Sequence, residues 1–473
     1  MTSPTKRPAL HDLGEKPAAS ALTARSSSTR AAPHSGPEGI RLLQLEIPDL
    51  DGALRAKLVH PEKGLSPSGS AMCTIMFGLT TADDVFETPA SSADNGYPDL
   101  VVRADPSTIR TLPWCRATAA AIGDLLGPTG ALYPLAPRSV LRHVEERCVA
   151  LGYEARFAAE YELCIVHRDD ALSAAGRHGE LNPLGRTMNA YSSLRLNELR
   201  PLAEEFVDRM DAVDIPVEAV HTELGQGMVE FALSHSTPVV AADRAARAKT
   251  YLKELCAQHD LVATFMSKWR TGAPTSGCHF HQSLWSDGDN AFAADDGGLT
   301  DLCRHYLAGQ LATMADFGAL FNPTVNSYRR LQPGTFTPAT ASWGVDNRTA
   351  ALRAITGPRK AVRVEHRRPG ADTNPYLAIA AMLAGGLHGI ERSLDAPPPT
   401  TGDAYDDSHY RRLPTSLDGA VSELRESALA RELLGTEFVE HYLLSRVTEL
   451  QLWHRWAADE VTEWEHRRYF ETI

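Results

Sequence analysis

The chain has no hydrophobic run approaching the roughly 18 residues that a membrane-spanning helix needs, and its mean hydropathy is −0.25. It is also poor in cysteine: seven in 473 residues, scattered and never spaced CxxC. An odd, dispersed set argues against a disulfide framework and a thiolate zinc site, so the expectation is a reduced, cytoplasmic enzyme. Cations are in deficit, with 47 Lys+Arg against 60 Asp+Glu and a formal net charge of −13. A sequence-independent nucleic-acid binder displaces phosphate counterions with cations, so the balance argues against that class. There is no GxxxxGK[ST] phosphate loop, and the GQG at 225–227 lacks the third glycine and strand context of a dinucleotide turn. No internal repeat is visible. Residues 1–38 are rich in Ser, Thr, Ala and Pro, with almost no large hydrophobes and no apolar core of a targeting peptide. They read as a disordered tail.

What the chain does have is enough apolar material, 43% of residues, for two or three cores. RLLQLEIPDLDGALRAKLV alternates apolar and polar residues around the turn signal Asp49–Gly52, which predicts a hairpin. Strand-like pieces follow through YPDLVVRADPSTIRTLPW, and a strand pair is expected around Ala117–Gly130. A helical period then begins, with Val140, Val144, Cys148 and Leu151 on one face. The boundary between two domains is expected at residue 135. Beyond it, strands alternate with amphipathic helices such as Glu198–Val213 and Pro238–His259, then come a loop at 396–408 and a helical end from Ser416 to Tyr469.

Polar residues at spacing two inside strand-like segments carry the chemistry. In RFAAEYELCIV, Glu160 and Glu162 alternate with Ala159, Tyr161 and Leu163, so both carboxylates share one face of a strand. His279, His281 and Ser283 do the same in SGCHFHQSLW, as do Arg363, Glu365 and Arg367 in AVRVEHRRPG. HTELGQGMVEF places Glu223 and Glu230 around a Gly-rich turn that suits two hairpin ends aimed at one place. One such segment is more often a solvated face than a site. Four together are harder to dismiss, because five buried carboxylates without cations are prohibitive, whereas two divalent ions make them favourable. Oxygen-rich ligation with one His per site suits Mg²⁺ or Mn²⁺. Arginines around such metals imply a phosphate or carboxylate substrate, the equipment of phosphoryl transfer.

The run NPTVNSYRRLQPGTFTPATASWGVDNRTAALR, followed by RVEHRRPGADTNPYLAIAAML, closely resembles the glutamine synthetase family. So do SGCHFHQSL, GYPDLVVRADPSTIRTLPW and the ending VTEWEHRRYF; the resemblance covers about residue 40 to the C-terminus. It implies an α+β fold: a tail (1–38), a small N-terminal β-grasp domain (39–135) and a larger catalytic domain (136–473) with an antiparallel curved sheet and helices. It further implies that Glu162, Glu223 and Glu230 hold one metal, and that Glu160, His279 and Glu365 hold a second beside the ATP phosphates. His281, Ser283, Lys360 and Arg363 match nucleotide-contacting positions, and Glu218 the ribose contact. Arg348, Arg353 and Arg367 match the clamp on the transferred phosphate, and Arg330 the arginine that binds the amino acid's carboxylate. The family's ATP-dependent reaction forms an acyl phosphate that an amine then converts to an amide. Active sites lie between subunits of rings, commonly two stacked hexamers, so a homo-oligomer, a dodecamer, is expected.

Three departures redirect the reading. Six residues after Arg330, where glutamine synthetases carry a glutamate that attracts ammonium, stands Phe336, which cannot accept a proton or pair with NH₄⁺. The family's N-terminal aspartate has no clear counterpart; Asp83, Asp84, Glu87 and Asp346 are the candidates for accepting the amine's proton. Pro274 and Thr275 replace the Asn-Gly that contacts the glutamate, and proline removes an N–H. The expected activity is therefore γ-glutamyl amide formation from glutamate and a primary amine such as a polyamine or ethanolamine, using ATP and Mg²⁺ or Mn²⁺. Ammonia-dependent glutamine synthesis and an amide ligase for another carboxylate are the alternatives. Small molecules are the only partners expected besides copies of the chain, with neither nucleic acid nor a membrane.

Overall fold

Asp49 closes the first turn by accepting the N–H groups of Asp51 (3.0 Å) and Ala53 (2.9 Å) on its Oδ1, and this joins strands β1 (Leu42–Pro48) and β2 (Leu54–Val59) as an antiparallel hairpin. Gly52 lies at φ +78°, and a Cβ there would meet the Asn374 backbone at 3.0 Å, so any other residue would be strained and crowded. The computed structural model describes residues 39–471 except 186, 188, 189, 333–335 and 406; the expected tail, 1–38, lies outside the described residues. Strands β3 (Ser70–Cys73), β4 (Asp99–Ala104), β5 (Arg110–Thr111) and β6 (Thr118–Leu126) complete a six-stranded sheet ordered β2-β1-β6-β4-β3, with β5 beside β6. The strand pair expected around 117–130 is instead the single strand β6. Its alanine-rich, fully buried run sits between β1, to which it is parallel, and the antiparallel β4 and β5.

A second, nine-stranded sheet is built from β7 (Glu154–His167), β8 (Val217–Thr222), β9 (Met228–Leu233), β10 (Leu261–Thr264), β11 (Cys278–Ser286), β12 (Asp289–Asn290), β13 (Trp343–Val345), β14 (Leu352–Ile355) and β15 (Arg363–His366). Its order is β13-β14-β15-β11-β7-β9-β8, with β10 beside β7 and β12 beside β11. Pairing is antiparallel except at one end, where β13 and β14 run parallel. Along β7, Ala155, Phe157, Ala159, Tyr161 and Leu163 are buried against helices, which turns Arg156, Ala158, Glu160 and Glu162 to the opposite face.

The helices pack behind this sheet. Helix Pro137–Ala150 buries Val140, Val144 and Cys148 as expected, but ends before Leu151, which is 37% exposed. The helix expected at 198–213 begins earlier, at Ser193, where Ser192 caps the Arg195 N–H, and runs to Ala212. Helix Pro375–Glu391 is apolar nearly all round and therefore central. It crosses helix Asp301–Thr313 so closely that a Cβ on Gly309 would meet the Gly385 carbonyl at 2.1 Å. Buried ion pairs join the small sheet and its turns to the helices: Arg138 to Asp105 and Asp124, Arg247 to Glu46, and Arg446 to Asp51; Arg138 also ties two helices together through Asp243. Among the described residues no helix is long and apolar enough to cross a membrane.

Candidate active site

The exposed face of the nine-stranded sheet lines a cavity of about 1070 Å³. All sixteen residues expected to hold metal, nucleotide, transferred phosphate or substrate, from Glu160 to Arg367, border this one space. The register explains the convergence. Arg353, Glu365 and His281 lie side by side across β14, β15 and β11; His279 faces Glu160 across β11 and β7; Glu162, Glu230 and His221 form a third row across β7, β9 and β8. Strands bring together residues up to 205 positions apart in sequence, from Glu160 to Glu365.

Carboxylates and imidazoles meet at ligand distances. Glu160 takes Nδ1 of His279 on Oε1 (3.0 Å) and faces Nε2 of His281 with Oε2 (3.4 Å). His279 Nδ1 is 3.8 Å from Glu365 and its Nε2 is 4.0 Å from Glu162. Glu162 is held by the Gly277 N–H at 2.6 Å, and Glu223 by the Leu224 N–H at 3.0 Å. Three groups could each place their ligand atoms within 4.8 Å of one another: Glu160–His281–Glu365, Glu160–Glu230–His279 and His221–Glu223–Glu230. Burial raises the carboxyl groups of Glu223 and Glu230, only partly offset for Glu230 by the His221 hydrogen bond. Burial acts on Glu160 and Glu365 too, but His279 and His281 hold the first well below its usual range, and Arg367 leads in holding the second at about 2. Hard oxygen donors with a few imidazoles, crowded together and with Glu223 and Glu230 disfavoured as bare anions, fit a divalent cation.

The cationic side is ordered by backbone and by Glu365. Arg353 donates to Glu365 Oε2 at 3.0 Å, Arg367 bonds Oε1 of the same carboxylate, and Arg367 Nε also donates to the Arg348 carbonyl at 3.1 Å. Arg363 donates to Nδ1 of His281 at 3.2 Å. Arg330, 2% exposed, donates to the carbonyls of Arg368 (3.2 Å) and Arg367 (3.3 Å). Its guanidinium lies against Gly277, where a Cβ would stand 2.5 Å from Nη2. Phe336 borders the cavity at φ +54°, with its ring 6.4 Å from that of Tyr405. Pro274 and Thr275 border it as well. The four candidates for the amine's proton do not: Asp83 pairs with Arg55, Asp84 bonds Thr80, Glu87 accepts the Ala93 N–H, and Asp346 pairs with Arg353 from outside.

Sequence reasoning missed three contributors. His221 reaches Glu230 at 2.8 Å and Glu223 at 3.7 Å, and its ring stacks on Tyr191 at 4.7 Å. Its position two before Glu223 was the available signal, since i and i+2 share a strand face. Tyr191 lies in a loop and left no periodic trace. Arg156 stacks its guanidinium 3.8 Å over Trp285 at the cavity edge, a diagonal contact between β7 and β11 that no local pattern announces.

The family described as glutamine synthetase, catalytic domain, matches residues 134–469. The chain is 38% identical over 435 residues to the gamma-glutamylethanolamide synthetase of Streptomyces coelicolor, covering 91% of this chain and 92% of that one. It is 36% identical over 444 residues to the glutamate–isopropylamine ligase of a Pseudomonas species, covering 92% and 96%. A solved structure described as apo GmaS without ligand superposes with a TM-score of 0.79 at 28% identity, over 92% of this chain and 97% of that one.

Proposed function

This chain belongs to the glutamine synthetase family, and from that premise we propose that it is an ATP-dependent ligase joining the γ-carboxyl of glutamate to a primary amine. The observation that carries the reading is a single cavity lined by all the arginines and metal-holding carboxylates expected from the sequence, with Phe336 standing where ammonium users carry a glutamate. Relatives of this family use ATP and a divalent metal; we take the metal here to be Mg²⁺ or Mn²⁺, from the oxygen-rich donor set.

Arg330, immobilised by two backbone carbonyls, is set to receive the amino acid's carboxylate. Glu162, Glu223 and Glu230 would hold one metal and Glu160, His279 and Glu365 the other; such ions supply charge neutralisation to the phosphates. Glu218, His281, Ser283, Lys360 and Arg363 would contact the nucleotide, a reading supported by their all lining the same cavity. The γ-carboxylate attacks the terminal phosphorus, the bond to the bridging oxygen breaks, and ADP leaves with that electron pair. Arg348, Arg353 and Arg367 would neutralise the equatorial oxygens whose charge grows. The neutral amine then attacks the acyl carbon, the C–O bond to phosphate breaks, and the released phosphate takes the nitrogen's proton. A homo-oligomer is part of the reading, in the form of two stacked hexamers. It is supported by the exposed aromatic residues Trp456, Trp464 and Phe470 at the C-terminal end. The free state of all seven cysteines supports a cytoplasmic setting.

The test is phosphate release by the purified chain with ATP, Mg²⁺ and glutamate, across ammonium, ethanolamine and isopropylamine, with products weighed by mass spectrometry. A γ-glutamyl amide formed at least tenfold faster with an organic amine than with ammonium is the expected result. Best turnover with ammonium would overturn it in favour of glutamine synthesis, and activity only with another acid would point to Pro274 and Thr275.

A further inference from the structure

Charged and apolar residues share the cavity lining, and three of the protein's exposed large hydrophobic side chains open into it: Tyr191 (74% exposed), Leu224 (48%) and Phe336 (46%). Apolar surface left open in a binding cavity calls for apolar substrate atoms to cover it. Two of the three sit beside the candidate metal ligands. Leu224 follows Glu223 directly, and Tyr191 stacks on His221, which bonds Glu230. Pro274 extends the wall, its Cγ 3.1 Å from where a Cβ on Gly225 would stand.

The charges are already committed. Six glutamates line the described cavity against seven Lys and Arg. Glu160, Glu223, Glu230 and Glu365 belong to the candidate metal groups, and Glu162 is engaged by the Gly277 N–H and faces His279. Only Glu218 is left among the described lining residues, and it is exposed on β8, where an ion pair is screened and weak. A second alkylammonium, with a pKa of about 10.4, stays charged at neutral pH and would enter an arginine-rich cavity with no buried counter-charge.

We propose that the amine taken by this site is a monoamine with a compact, uncharged carbon skeleton laid on Tyr191, Leu224, Pro274 and Phe336, and that diamines and polyamines are poor substrates. The proposal rests on the ligase reading above and narrows it. Each methylene laid on the wall strengthens binding roughly fourfold, whereas a distal ammonium reverses that gain.

The experiment compares kcat/KM of the full chain, with ATP, Mg²⁺ and glutamate, for butylamine, 4-aminobutan-1-ol and 1,4-diaminobutane, with product masses recorded. Butylamine is expected to exceed the diamine at least 30-fold, with the amino alcohol between them. Phe336→Glu, at a half-exposed position, is expected to narrow the butylamine-to-diamine ratio at least tenfold, because it supplies the missing counter-charge; a merely structural change would lower both rates alike. A diamine as good as butylamine, or an unchanged ratio in the variant, overturns the proposal. No amide with any amine, despite turnover with ammonium, removes the ligase reading itself and the proposal with it.

Discussion

A Gly277→Ala substitution places a methyl carbon 2.5 Å from Nη2 of Arg330, 3.0 Å from its Cζ and 3.1 Å from its Nε. Carbon–nitrogen contacts of that length are well inside van der Waals separation, so one group must move. The guanidinium is tied to the carbonyls of Arg367 and Arg368 and is 2% exposed, so it has no solvent to swing into. Overpacking of this kind costs about 1–3 kcal/mol. Expressed as displacement of Arg330 from the substrate carboxylate, the loss is that of a charge-assisted hydrogen bond, about 1.5–3 kcal/mol, or roughly 10- to 150-fold in KM for glutamate. The Gly277 N–H that holds Glu162 is retained, so KM for ATP and the metal requirement should change less than twofold. Steady-state kinetics with each substrate varied in turn, on protein whose melting temperature and elution volume match the parent's, makes the measurement. An unchanged KM for glutamate, or equal rises for glutamate and ATP, would refute the assignment of Arg330 as the acid-binding residue.

Three further outcomes are expected. Glu160→Gln removes a carboxylate common to two candidate metal groups and should weaken Mn²⁺ binding at least tenfold by calorimetry without nucleotide; affinity within twofold of the parent would count against those groups. Arg138→Met strips the buried partner from Asp243, which it holds at 2.8 and 3.0 Å, and from Asp105 and Asp124, and should destabilise by about 3–5 kcal/mol in thermal or urea unfolding. A loss below about 1 kcal/mol would mean that Arg142 satisfies the small-sheet carboxylates by itself. His441, packed against Phe77 with Nε2 lacking a partner, is lowered to about 4 by burial. Its contribution is therefore complete above the unfolded pKa of about 6.5 and is lost as pH falls toward 4, with about 2 kcal/mol of stability already lost by pH 5. His441→Phe should flatten the fall in melting temperature between pH 7 and pH 5, and an equally steep fall in both proteins would show that other groups govern it.

Much of the site was legible because strand alternation is local. Glu160 with Glu162, His279 with His281 and Arg363 with Glu365 each share a face by virtue of spacing alone, and the Gly-rich turn at 223–227 announces its own hairpin. The Asp49–Gly52 turn was readable for the same reason, since the Asp49 side chain bonds backbone groups only two and four residues on. What a chain encodes within a few residues of itself can be read along it. Which strands become neighbours is a different matter, set by burial summed over the whole molecule. Nothing near Glu365 says that Arg353 and His281 will flank it, nor does the alanine run of β6 announce that it serves three partners rather than one hairpin. The stacking of His221 on Tyr191, the wall that Leu224 and Phe336 present, and the pressing of Arg330 onto Gly277 arise only once those distant segments are packed together. The residue types and the faces they occupy were determined by the sequence alone. Their register across the sheet, and with it the division of the cavity into a cation-holding floor and an apolar wall, was decided by tertiary packing.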